Sequence, residues 1–288
     1  MSDPVTFVHL TDLHVGNPAV ADDHLYSDTS ATLEAILADV KKLVPQPSFI
    51  VASGDLTNRG DEASYNELKR ILADAELGMP VLFALGNHDR RDGFYPAMLA
   101  RTEGVDAPYD HAQVIDGIHV IVIDSSVPNK IGGSFEPGQL DWLKAELDRH
   151  ADLPKLLVMH HAPALDANPD MEWESLSIAD TEALRQAIQG KNVIGILSGH
   201  IHFDRVSNWH GVPVVVGIGQ HAATDVLWLH EGLRMLEGAS FAIGTLRPSG
   251  LSITFAPRPA TRQELHSFTF KGMAEVLKKY EAGNVAAE

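Results

Sequence analysis

Aspartates, histidines and one asparagine stand in this sequence where apolar runs end. Asp12 and His14 follow "VTFVHL". Asp55 follows "SFIVAS", and Asn87 and His88 follow "PVLFAL". His160 and His161 follow "KLLVM", and His200 and His202 follow "NVIGIL". Imidazole and carboxylate donors without sulfur suit Mn, Fe, Zn or Co. The chain has no cysteine, which excludes disulfides, thiolate nucleophiles and zinc–thiolate sites together. Each residue also has a plainer explanation. Asp12 could cap a helix, Asp55 and Asn87 each follow a glycine and could shape turns, and His160 and His161 could be a satisfied pair at a strand edge. That all five runs should end this way by chance is the weaker account. Two ions about 3.5–4 Å apart can clamp a phosphoester and generate hydroxide near neutral pH. Such a pair needs a bridging ligand, and the two oxygens of a carboxylate such as Asp55 can bridge.

The apolar runs must position these groups. Short Val/Ile/Phe-rich stretches followed by turn residues read as buried strands: Val5 to Leu10, Ser48 to Ser53, Pro80 to Leu85, Lys155 to Met159 and Asn192 to Leu197. Ligands of open α/β sheets bind outside the carboxyl ends of strands, where all five groups fall. Alternate residues of an extended strand share a face, so Asp12 and His14 are expected to reach one ion and His200 and His202 one cluster. Helical spacing is expected over Ser30 to Leu43 with a Ser/Thr cap, and over Asp61 to Ala75. It recurs over Glu136 to His150, with Leu140, Leu143 and Leu147 on one face, and over Ala179 to Gly190. Gly117 to Ser126 reads as a central strand paired with "YDHAQVID". "DRVSNWHGVPVVVGIG" and "SFAIGTLRPSGLSITFAP" read as hairpins. The alternation predicts an α/β fold layered around two sheets, in one domain spanning residues 1–270. Residues 218–240 fit no pattern and are expected as a lid or a dimerisation insertion. The tail, 271–288, is expected as a terminal helix and a frayed end.

Composition narrows the partners. The 288 residues carry a net charge of −17, which disfavours nucleic acid polymers and anionic membranes. An anionic ligand would need local positive charge, which a metal cluster supplies. No apolar run is long enough for a span, and no secretory signal is evident. The expectation is a cytoplasmic protein without stable membrane insertion. "GIGQHA", from Gly217 to Ala222, approaches a dinucleotide fingerprint, but it comes late, after hairpin-like strands, and the chain beyond returns to strand. A glycine-rich strand end near the metal site explains it better.

The ordered blocks "DLH … GDLTNRG … GNHD … HHAP … GHIHF" resemble the calcineurin-like metallophosphoesterase superfamily, whose pattern is D-x-H, G-D, G-N-H-D/E, H and G-H-x-H. The resemblance covers residues from about 5 to 215. Within the superfamily the chain looks most like the bacterial class III cyclic nucleotide phosphodiesterases and related glycerophosphodiesterases, which carry a similar "GSFEPGQLDWLKAEL" segment. The resemblance implies a four-layer α-β-β-α sandwich of two mixed sheets, with a dinuclear site at the strand ends. It implies two divalent or mixed-valence transition metal ions, one held by Asp12, His14, Asp55 and His202. The second would be held by Asp55, Asn87, His160 and His200, with Asp55 as the bridge and His160 preferred over His161. His88 would contact the phosphate and protonate the leaving alkoxide, and Asp89 would orient His88 or stabilise its protonated form. The implied reaction is attack of a metal-bridging hydroxide on a small phosphodiester, with 3′,5′-cyclic AMP as the candidate substrate. Glycerophosphodiesters, phospholipid headgroups and phosphomonoesters are the alternatives. A homodimer is compatible with this reading, and a noncatalytic scaffold would have lost ligands that are present here.

Overall fold

Alternation within each strand decides the layers. In the computed structural model, which describes residues 4–166 and 172–258, β1 (Val5–Leu10) leads to α1 (Thr29–Val40), β2 (Phe49–Ser53), α2 (Glu62–Ala75), β3 (Val81–Ala84) and α3 (Arg91–Leu99). A second series follows: β4 (His111–Ile115), β5 (Ile118–Val122), α4 (Gln139–Asp148), β6 (Lys155–Val158), α5 (Ile178–Ile188) and β7 (Val193–Ser198). The chain then turns to strand, with β8 (Arg205–Trp209), β9 (Val212–Val216), β10 (Ala223–Thr224), β11 (Met235–Leu236), β12 (Ala239–Arg247) and β13 (Gly250–Arg258). One sheet has the order β13-β12-β1-β2-β3 and the other β4-β5-β6-β7-β9-β8. β1, β2 and β3 run parallel, as do β5, β6, β7 and β9, while β12 returns antiparallel to β1. As far as Pro257 these elements lie in one compact unit.

Because side chains alternate across a strand, β1 and β2 each serve two layers. Val8, Leu10, Ile50 and Ala52 pack with Leu33, Leu68 and Phe94 of the first helical layer. Phe7, Phe49 and Val51 face the other way and meet Val120, Val122, Leu156, Val158 and Leu197 of the second sheet. The far side of that sheet carries Ile121, Leu157, Ile196 and Val214 against Leu143, Leu147, Leu184 and Ile188. The result is the expected four-layer α-β-β-α sandwich with two mixed sheets. Strands buried on both faces explain why their sequences read as continuous apolar runs.

Three expectations change. α1 is capped by Asp28, whose Oδ1 accepts from Ala31 N–H at 2.9 Å, rather than by a serine or threonine, and it stops at Val40. α3 was not expected, because Gly93 and Pro96 interrupt its pattern. Gly93 is needed there, since a Cβ would stand 2.1 Å from Gly60 O. α4 buries Leu143 and Leu147, but also Gln139 and Glu146, while Leu140 is only half-buried. Within residues 218–240, β10 and β11 form a separate two-stranded sheet. The glycine-rich segment before it opens no helix and passes against Asp12: Gln220 N–H donates to Asp12 O at 3.1 Å, and a Cβ on Gly219 would lie 2.4 Å from Asp12 Cβ. The expected terminal helix, 271–288, lies outside the described residues. Among the described residues no helix is long and apolar enough to cross a membrane.

Candidate metal centre

The carboxyl ends of β1, β2, β3, β6 and β7 converge, and the loops beyond them carry the chemistry. Asp12 and His14 lie past the end of β1, and His200 and His202 lie past the end of β7. Both pairs adopt left-handed backbone, with φ of 48° and 45° for the first and 78° and 52° for the second; Asp55 has φ of 48°. The pairs therefore do not sit on extended strand, and alternation along a strand is not what brings them together. Their loops are cross-bonded instead. Asp12 N–H donates to Gly54 O at 3.0 Å, His14 N–H to Asp55 O at 2.9 Å, and Gly199 N–H to His160 O at 3.0 Å. Non-glycine residues at positive φ are uncommon, with Asp and His enriched among them. Such strain costs on the order of 1–3 kcal/mol per residue and gathers at functional sites.

Asp12, His14, Asp55, His160 and His200 are buried, while Asn87 and His202 are half-buried. The donor atoms of Asp12, His14 and His202 lie within 4.8 Å of one another, as do those of Asp12, Asp55 and His160. Asp55 stands between two imidazoles, its Oδ2 lying 3.6 Å from His14 Nε2 and 3.2 Å from His160 Nε2. Its Oδ1 accepts from His88 N–H at 2.8 Å. On the other side, His202 Nε2 is 3.4 Å from Asp12 Oδ1, and the rings of His160 and His200 are 5.2 Å apart.

The second nitrogen of each imidazole fixes its tautomer. His160 Nδ1 lies 2.9 Å from Ser53 O, His200 Nε2 2.8 Å from Trp173 O, and His202 Nδ1 2.9 Å from Ala222 O. Carbonyls only accept, so those nitrogens carry the protons. His14 Nδ1 is 3.1 Å from Asn58 Oδ1, and the Asn58 amide is oriented by donating from Nδ2 to Asp22 at 2.7 Å. Each ring thereby keeps its other nitrogen as a lone-pair donor, the arrangement that holds a metal-ligating histidine in place. His14 Nε2, His160 Nε2 and Asn87 Oδ1 are buried with no hydrogen-bond partner of acceptable geometry. Orphaned acceptors in one small volume fit a cation well and an empty interior poorly.

His161 is different. It lies within 4.8 Å of His160 and His200 by donor atoms, but Ser125 Oγ occupies its Nδ1 at 2.9 Å and Ile131 O its Nε2 at 2.8 Å. Neither nitrogen remains for an ion. Burial holds its pKa well below the usual range.

Electrostatics follow the same plan. Burial would raise the Asp55 carboxyl, but His160, His88 and His14 together outweigh it and hold the pKa well below the carboxylate range. Burial would lower His160; Asp55 and Asp12 reverse this and bring the imidazole up to about 9. The pull that favours a proton on Nε2 also favours a metal cation, which competes for the same lone pair. Burial, then His160, pushes His200 down to about 3, so its ring is neutral and available as a donor.

His88 is exposed, and its Nδ1–H donates to Asn58 O at 3.0 Å, leaving Nε2 for other chemistry. Asp89 does not orient that ring, contrary to expectation. Its carboxylate accepts from Leu56 N–H at 3.0 Å, Thr57 N–H at 3.2 Å, Gly86 N–H at 2.9 Å and Tyr65 Oη at 2.8 Å. It ties the loop after β3 to the loop after β2, because those backbone donors need an acceptor and Asp89 is the charged one within reach.

His221 belongs to the same cluster. Its ring is 4.6 Å from His14 and 6.0 Å from His202, and it stacks on Tyr26 at 5.1 Å and 8°. Its Nε2 accepts from Tyr26 N–H at 3.0 Å, so Nδ1 carries the proton. The sequence placed it only within residues 218–240, the expected lid or dimerisation insertion. The signal was available, since "VVVGIGQHA" is a sixth apolar strand running into a histidine.

A family model for calcineurin-like phosphoesterases matches residues 5–204. A probable cyclic nucleotide phosphodiesterase of Rhodococcus erythropolis is 35% identical over 236 residues, 81% of this chain and 76% of its own length. A cAMP/cGMP dual specificity phosphodiesterase of Mycobacterium tuberculosis is 31% identical, over 81% of this chain and 72% of its own. Among solved structures, a dimetal phosphatase from Danio rerio shares the fold at 14% identity with a TM-score of 0.66, covering 88% of this chain and 96% of that one.

Proposed function

This chain belongs to the calcineurin-like phosphoesterase family and is a phosphoric ester hydrolase, and from that premise we propose that it is a dinuclear metal-dependent phosphodiesterase acting on 3′,5′-cyclic nucleotides. The observation that carries the metal assignment is the set of imidazoles whose second nitrogens donate to fixed acceptors, so that their lone pairs are kept for the centre. Asp12, His14, Asp55 and His202 would hold one ion, and Asp55, Asn87, His160 and His200 the other. Asp55 is shared because it stands between His14 and His160. When bound, a metal pair here supplies Lewis acidity to the phosphoryl group and lowers the pKa of nearby water.

The chain's own groups do the rest. His88 Nε2 is the candidate general acid for the leaving alkoxide, since Nδ1 is held on Asn58 O and the ring reaches solvent. His221 presents an N–H beside His14 and His202 that can donate to a phosphoryl oxygen. Asp89 holds the two loops at the spacing the ligands need. The similarity to named cyclic nucleotide phosphodiesterases supports the substrate class. A turnover screen tests it, with cyclic nucleotides, glycerophosphodiesters, phospholipids and phosphomonoesters each offered with Mn, Fe, Zn and Co. Cyclic nucleotide cleavage is expected. Phosphomonoester cleavage far faster than that of any diester would overturn the proposal.

A further inference from the structure

A phosphodiesterase needs more than a grip on phosphate, because the phosphate is common to all its candidate substrates. Beside the centre lies a cleft of about 500 Å³, within the size range of small-molecule sites. One wall is the segment 130–134 and the other 173–178. The walls are joined where Gly133 N–H donates to Ser175 O at 3.0 Å and Ser177 N–H donates to Gly133 O at 2.8 Å. Each wall also hangs from an imidazole. His161 donates to Ile131 O and His200 donates to Trp173 O, both at 2.8 Å. Gly133 lies so close over His161 that a Cβ there would stand 2.5 Å from it. The cleft is thus fixed relative to His200, and His161, which has no nitrogen left for an ion, has a structural task.

The lining is chemically mixed. Trp173 is half-buried and offers an aromatic surface. Ser134 and Ser177 donate their hydroxyl protons to Asp180 at 2.6 and 2.7 Å, and Ser175 donates to Leu176 O at 3.1 Å. The oxygens of Ser134 and Ser175 are left as acceptors, and Ser177 Oγ, which also accepts from Asp180 N–H at 3.1 Å, keeps one lone pair. The exposed Lys130 supplies a cationic donor. A nucleobase answers each feature, with a π face for the indole, exocyclic N–H groups for the oxygens and ring nitrogens for the ammonium. A glyceryl group leaves the indole unmatched, and a choline or ethanolamine headgroup brings a cation to Lys130.

We infer that this cleft is the nucleobase subsite, with Trp173 as the stacking residue, an inference that rests on the phosphodiesterase proposal above. The test is steady-state kinetics of the full-length, Mn-loaded protein on 3′,5′-cyclic AMP, with glycerophosphoethanolamine as a diester that has no base. Trp173→Ala is expected to raise KM for cyclic AMP about tenfold, the scale of a lost base–aromatic stack. Metal content and kcat should stay unchanged, and Trp173→Phe should restore most of the loss. If Trp173→Ala does not fold, Lys130→Glu at its exposed position must give the same KM-only effect. An unchanged KM, or a fall in kcat or metal content without a change in KM, would overturn the subsite. A wild-type enzyme that cleaves glycerophosphoethanolamine but no cyclic nucleotide overturns the subsite and the cyclic nucleotide substrate class together, while leaving metal-dependent phosphodiester hydrolysis standing. One that cleaves neither diester overturns both.

Discussion

The four imidazoles held on fixed acceptors behave as a set because each has one nitrogen committed and one kept free. This makes single substitutions informative. Asp55 lies within 3.6 Å of both His14 and His160, so Asp55→Ala should lower occupancy at both metal positions. Elemental analysis of the purified variant reads this directly, and loss of only one ion would contradict a bridging role. The same measurement separates the adjacent histidines. His160→Ala should lose metal, whereas His161→Ala should keep it, because both His161 nitrogens are already engaged. His88→Ala should retain both ions and lose on the order of 10²–10⁴ in turnover, the range for a general acid. Metal loss in that variant would make His88 a ligand instead.

At the level of elements, parallel strands deliver the site but loops shape it. Strand ends bring the segments within a few ångströms, and left-handed residues then turn the side chains inward. Small residues make the approach possible. A Cβ on Gly86 would stand 2.2 Å from Asp55 Oδ1, and one on Gly199 would stand 1.9 Å from Thr11 Oγ1. Asp89 is the clasp, accepting three backbone N–H groups from the loops after β2 and β3. Asp89→Ala should therefore destabilise the fold by about 2–4 kcal/mol, since buried donors lose their acceptor. Denaturant titration would show this together with reduced metal content. A variant of wild-type stability with only a lower kcat would return Asp89 to a direct catalytic role.

The molecule as a whole sets a field against its own substrate. A net charge of −17 repels an anionic diester, and screening relieves that over a Debye length of about 10 Å at 0.1 M salt. The value of kcat/KM for cyclic AMP should rise as ionic strength goes from low to physiological, and a steep fall would mean that local positive charge steers the substrate. The same anionic character makes bound cations stabilising. Chelation should lower the thermal midpoint, because an ion at 100 times its dissociation constant contributes about 2.7 kcal/mol. An unchanged midpoint after confirmed metal removal would mean that the ions were not held by the folded centre.

The sequence by itself determined the layering around two sheets and which polar side chains stand at the strand ends. Two-sided apolar runs gave strands buried on both faces, and residues placed after those runs had to lie at the carboxyl end of a parallel sheet. Asp12, Asp55, Asn87, His160 and His200 were legible for that reason. Tertiary structure decided what depends on long-range contacts. Left-handed loops, rather than strand alternation, bring Asp12 to His14 and His200 to His202. Asp89 serves backbone donors 32 and 33 residues away and not its neighbour His88. His221 reaches His14 across the fold, and α3 forms despite Gly93 and Pro96 because Phe94 and Tyr95 are buried there. A hydrogen-bond partner distant in the chain leaves no local pattern, so only the folded chain shows which nitrogen of each histidine is still free.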